Sequence, residues 1–166
     1  MGGEAPPDPF ARLLDDHGDF ADKLTELEAT LDEMMALREA SDANREVLDE
    51  AIRFFEEEVL PHMALEDEVL LPLLEAKIGR FGTLVNVVAY EHDEIRREVE
   101  KFRAARKDLE RSADPWPAIQ EVNRHGIFTI QFLWDHFRKE KTSLFPTARE
   151  QLSESELEVI RKKLLH

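Results

Sequence analysis

Four long stretches of this chain place apolar residues alternately three and four positions apart, the spacing of a stripe buried inside a helical bundle. The first stretch gives Phe10, Leu13, His17, Phe20, Leu24, Leu27, Leu31 and Met34, and the second Leu48, Ile52, Phe55, Val59, His62, Glu66, Val69 and Leu73. The third gives Val85, Val88, His92, Ile95, Val99 and Phe102, and the fourth Ile119, Val122, Gly126, Thr129, Leu133, His136 and Glu140. Alternation of β-branched residues, the mark of a half-buried strand, never persists, so the chain is expected to be all-α. Its 166 residues suffice for one domain with its own core.

Local signals predict where the helices start and stop. Asp8 as N-cap and Pro9 at the first helical position begin helix A, which runs to about Glu39. Ser41 or Asp42 starts helix B, which reaches about Lys77 and stops at Gly79. Pro61 and Pro72 fall inside helix B, and kinks are expected near both, because each proline removes a backbone bond and crowds the carbonyl four residues back. Helix C spans about Thr83 to Leu109, and helix D opens at Asp114-Pro115 and ends near Pro146. Ser153 and Glu156 are spaced as a capping box that begins a short C-terminal helix. The expected organisation is a tail over residues 1–8, a bundle over 9–150 and a C-terminal helix over 151–166.

Within these stripes four histidines and two glutamates stand where apolar residues belong. Buried without partners they would cost several kcal/mol, so they satisfy one another or share an ion. Residues i and i+4 lie roughly 40° apart around a helix and about 6 Å along it, which lets His62 with Glu66, and His136 with Glu140, point into one space. The set repeats: His17 and His92 are 75 positions apart, His62 and His136 are 74, and each H-x-x-x-E pair is followed by Leu and Pro at matching places. A single histidine on an apolar face is usually a hydrogen-bonded core residue. Six matching positions on four helices point instead to a metal centre, and the two-fold repeat to two ions. Nitrogen and carboxylate donors suit a pair of iron ions, with manganese or zinc as alternatives.

Composition narrows the chemistry further. The chain contains no cysteine, which excludes disulfides, thiolate metal sites, iron–sulfur ligation and thiol nucleophiles. A formal net charge of −15 argues against binding a phosphate backbone, so no nucleic-acid partner is expected. The start, "MGGEAPPDPF", has no basic flank or apolar core of a leader, and no run approaches the roughly 20 apolar residues of a membrane span. A cytoplasmic, soluble protein without a membrane partner is the expectation.

The order His17, His62-x-x-x-Glu66, His92, His136-x-x-x-Glu140, with "LLPLL" and "LFP" after the two pairs, resembles the hemerythrin-like family of HHE cation-binding domains over about residues 9 to 150. The resemblance implies an up-and-down four-helix bundle holding a non-haem di-iron centre. By it the four histidines are terminal ligands, Glu66 and Glu140 bridge the metals, and a solvent-derived oxygen (oxo or hydroxo) lies between them. One departure stands out: oxygen-carrying hemerythrins have a second histidine one turn after the first on the third helix, where this chain has Arg96. Either a position at one metal is open or held by water, or another group such as Glu58 completes it. Phe20, Phe132 and Leu133, a turn from the ligands, are expected to line an apolar pocket for a small ligand.

Other residues are expected to stay outside the centre. His125 precedes His136 by eleven positions, about 16 Å along a helix, and fits a structural or surface role. His166 is terminal. Tyr90 is a candidate for a hydrogen bond near the metals or between helices. Arg96, Arg97, Lys101, Arg103, Arg106 and Lys107 make a basic, solvated face toward a helix C-terminus. The first functional expectation is a protein that binds or senses dioxygen or a related ligand, nitric oxide or peroxide, passing the signal to a redox or signalling partner. The alternatives are an enzyme turning over peroxide or nitric oxide, and a protein that handles or senses iron.

Overall fold

A computed structural model describes residues 8–164; the expected tail up to residue 7 and His166 lie outside the described residues. Among the described residues there are five helices and no strand. They are α1 (Ala11–Leu37), α2 (residues 42–78), α3 (Leu84–Arg111), α4 (residues 116–151) and α5 (Glu154–Leu164). Each of the first four packs on its sequence neighbour and α4 returns to α1, which closes an up-and-down bundle. Among the described residues no helix is long and apolar enough to cross a membrane.

Most ends follow the local chemistry. Ser41 caps α2 with a reciprocal box: its hydroxyl accepts from Asn44 N–H, and the Asn44 side chain accepts from Ser41 N–H. Gly79, at φ 77°, stops α2 in a backbone region closed to most side chains. Ser153 and Glu156 form the expected box before α5. α1 begins later than expected, at Ala11, because Asp8 accepts a bond from the Phe10 N–H two residues on and Phe10, not Asp8, is the N-cap. It ends at Leu37 rather than near Glu39, where Arg38 turns to φ 55°.

The prolines act differently from a simple kink or stop. Phe55–Val59, Glu66–Leu70 and Glu140–Leu144 are π turns, placed just before Pro61, Pro72 and Pro146. In each, the N–H preceding the proline reaches back five residues, from Leu60 to Phe55, Leu71 to Glu66 and Phe145 to Glu140. Widening the turn relieves the clash between the proline ring and the carbonyl four residues earlier, so the helix continues. Hence α4 does not end near Pro146 but runs on to Gln151. The extra residue also shifts the stripe of α2: Leu70, Leu71 and Leu74 are buried, while the expected Val69 and Leu73 are only half-buried.

The interior is stacked in three layers. One apolar cluster joins Phe20 to Met34 of α1, Leu48 to Met63 of α2, Ile95 to Leu109 of α3 and Ala118 to Phe137 of α4. A second joins Phe10 and Leu13 to Leu70, Leu74, Val85, Val88, Leu144 and Phe145, and α5 covers it with Leu157, Ile160 and Leu164. On each of the four bundle helices the histidines and glutamates of the inner stripe fall at the join between the two. Polar groups are there because the chain threads that level four times, once per helix.

Candidate metal centre

His17, His62, Glu66, His92, His136 and Glu140 all meet at this level. Glu66, His92, His136 and Glu140 bring donor atoms within 4.8 Å of one another, and so do His17, His62 and Glu140. Glu140 belongs to both groups. Glu66 reaches both as well, with Oε1 at 3.2 Å from His92 Nε2 and Oε2 at 3.7 Å from His62 Nε2. Glu140 Oε1 lies 2.9 Å from His136 Nε2, 3.7 Å from His17 Nε2 and 3.8 Å from His62 Nε2. Both glutamates are fully buried, and each heads a π turn. Their own carbonyls thus bond five residues forward, while their carboxylates face the centre.

These groups lie at ion-pair distances from one another but do not meet as aligned hydrogen bonds. All four carboxylate oxygens of Glu66 and Glu140, with Nε2 of His17 and His62, are buried and have no hydrogen-bond partner. Two adjacent buried carboxylates repel, and the usual remedy is a proton or a cation between them. Burial and the charge of Glu140 push the Glu66 carboxyl well above its ordinary range. For Glu140 burial acts in the same direction, but contact with Glu66 and the surrounding imidazoles drives it well below. His92 Nε2 faces His136 Nε2 at 3.1 Å. Burial lowers His92; in His136 it is outweighed by Glu140 and Glu91, which push that imidazole up to about 9. Without a cation, the positive charge of this centre is favoured on His136, beside the Glu140 carboxylate. Orphaned oxygens and converging Nε2 atoms make this donor set fit nitrogen–oxygen-ligated cations.

A surrounding shell of carboxylates is not among the sequence expectations. His62 Nδ1 lies 3.0 Å from Asp16 Oδ2, His92 Nδ1 2.7 Å from Asp67 Oδ1 and His136 Nδ1 3.3 Å from Glu91 Oε1. A carboxylate only accepts, so each Nδ1–H donates and each Nε2 is turned to the centre. Each acid is the chain neighbour of a central residue on one helix and serves the histidine of the next: Asp16 beside His17, Asp67 beside Glu66, Glu91 beside His92. That adjacency was the available signal. Arg96 binds Asp67 and Asp93, and Lys139 donates to Glu91 Oε2 at 2.7 Å.

His17 closes the ring differently. No carboxylate among the described residues pairs with its Nδ1; the ring stacks on Phe137 with centroids 4.4 Å apart. Phe20 stands edge-on to His62 and touches Phe54 and Phe137, so aromatic rings wall this side. Phe20 and Leu133 are buried as expected, but Phe132 sits half-buried and stacks on the exposed Phe128. The buried arc of α4 passes through Ile130, Leu133 and Phe137, which leaves Phe132 at its edge.

Among the described residues, none of the remaining candidates joins the centre. Glu58 is exposed and lines a cleft of about 180 Å³ outside His62, together with Arg12, Asp16 and Glu57. Arg96 is turned onto its two aspartates rather than inward. Tyr90 is exposed. His125 Nδ1 bonds Glu98 Oε2 at 2.8 Å, a structural pairing away from the central groups.

A search of curated proteins finds no match. Residues 8–148 match the family model of the hemerythrin HHE cation binding domain. That span reaches into all four bundle helices, short of the last turn of α4, and includes all six converging residues, and the chain belongs to the hemerythrin HHE cation-binding family.

Proposed function

We propose that the centre binds two iron ions and that the protein binds or senses dioxygen or a related small ligand, nitric oxide or peroxide. The observation that carries this reading is the set of four buried carboxylate oxygens and two imidazole nitrogens without a hydrogen-bond partner. His92 and His136 would hold one ion and His17 and His62 the other, with Glu66 and Glu140 shared between them. When bound, such ions supply Lewis acidity and a change of redox state.

The chain's own residues then do the rest. Asp16, Asp67 and Glu91 fix three imidazoles with Nε2 toward the centre. The glutamates balance positive charge where water cannot. Phe20 and Phe137 pack apolar rings against His62 and His17 and narrow the approach of water from the cleft. With Arg96 engaged by Asp67 and Glu58 on the outer surface, the described residues offer the centre four imidazoles. That leaves room for a small exogenous ligand.

Metal quantification of protein purified without a histidine tag, with anaerobic and aerobic absorption spectra of the same sample, tests this. Two iron ions per chain and spectra that respond to dioxygen, peroxide or nitric oxide are expected. Absence of bound metal, or iron-loaded protein indifferent to all three ligands, overturns it.

A further inference from the structure

The two halves of the repeat do not give their histidines equal support. Asp16 and Glu91 hold corresponding places, one residue before His17 and His92, and they serve corresponding histidines, His62 and His136. The match breaks at the next pair. Asp67 follows Glu66 and serves His92, whereas the residue after Glu140 is Lys141, exposed and unable to accept a bond from His17. The bracing cations show the same break. Arg96 grips Asp67 and Lys139 grips Glu91, while Leu65 stands at the place in the first half that corresponds to Lys139. Burial sets His17 apart: the side chains of His62, His92 and His136 are enclosed, and that of His17 is 12% exposed. Beside His62 the surface opens into the cleft carrying Asp16, Glu57 and Glu58.

We infer that the centre is built with one tenacious and one exchangeable metal position: the ion on His92 and His136 binds first and is retained, and the ion on His17 and His62 enters and leaves through the acidic cleft beside His62. Removing a carboxylate that orients a ligating histidine costs about 10–100-fold in metal affinity. Among the described residues no carboxylate partners His17 Nδ1, and Asp16, although Arg12 lines the same cleft, forms no ion pair with a cation as Asp67 and Glu91 do, so a gap of that order separates the two positions. Asp16, Asp67 and Glu91 are positioning residues here; they act through the imidazoles. This inference rests on the two-ion reading above.

Cobalt(II) titration of the metal-free full chain, followed by visible absorption and by competition with a chelator, tests it. Two steps are expected. Asp67→Asn weakens the first about 10–100-fold, Asp16→Asn weakens only the second, and His17→Ala removes the second while leaving the first in place. Repulsion between two ions would also separate the steps, so the assignment by variants decides. Asp16→Asn weakening the first step, or Asp67→Asn only the second, overturns the inference. Two steps that every variant weakens alike also overturn it. Fewer than two ions per chain in the unaltered protein would instead sink the two-ion reading itself. Circular dichroism identifies any variant that fails to fold, and chelator-driven cobalt release from the unaltered protein answers the same question without mutation: two phases support unequal positions, a single phase of two ions opposes them.

Discussion

The apolar cluster around Leu31 and Phe102 and the polar level around Glu66 and Glu140 are made from the same helices under opposite constraints. In the first, α1, α3 and α4 approach so closely that a Cβ on Gly126 would lie 2.7 Å from Leu31 Cδ1 and 3.1 Å from Phe102 Cε2. In the second, carboxylates stand buried without partners, and π turns begin at both glutamates. One region is packed for stability; the other sacrifices stability to keep donor atoms free for a cation. Apolar layers on both sides offset that cost.

The contrast is open to direct attack. Phe102→Ala removes a fully buried ring set edge-on to Phe55 and should cost about 3–5 kcal/mol in chemical denaturation, with metal content per folded chain unchanged. A loss of metal along with stability would show that the two regions are not separable. Gly126→Ala should cost up to about 2 kcal/mol, since overpacking against Leu31 and Phe102 exceeds the gain of about 1 kcal/mol in helix propensity, again without touching the centre.

Glu66→Gln should have the opposite sign in the metal-free protein. Replacing one of two repelling buried carboxylates by a neutral amide is expected to raise stability by about 1–2 kcal/mol while metal content falls. Destabilisation of the metal-free variant would mean that the carboxylates already satisfy each other. The smallest effect concerns protons. Because His136 is raised to about 9 from an ordinary value near 6.5, its charged form stabilises the metal-free fold below about pH 6.5, and that contribution fades as pH rises through 9. The metal-free protein should therefore lose stability between pH 7 and 9 more than the loaded one. Loading at pH 7 should release a proton, visible as a binding enthalpy that depends on the buffer.

How much of this was legible depended on whether the signal was local. Three-and-four spacing exposed the four helices and placed six polar residues on their inner stripes, and all six converge. Capping boxes at Ser41 and Ser153 were readable because their bonds close within three residues. The π turns were not, since a proline in a helical pattern signals a kink or a stop; the clue beside it is that a proline stands six residues after Glu66 and after Glu140. One extra residue in a turn rotates everything beyond it, and the burial of Leu70 in place of Val69 follows from that rotation.

The sequence by itself determined the helical class, the repeat and the donor set, because periodicity and residue chemistry are properties of the chain alone. Only the tertiary structure decided how those donors are held: Asp16, Asp67 and Glu91 each support a histidine on a different helix, and Phe137 takes the fourth place beside His17. Spacing along one helix says which face a side chain occupies. It does not say which neighbour lies opposite, since that depends on the relative rotation and stagger of packed helices.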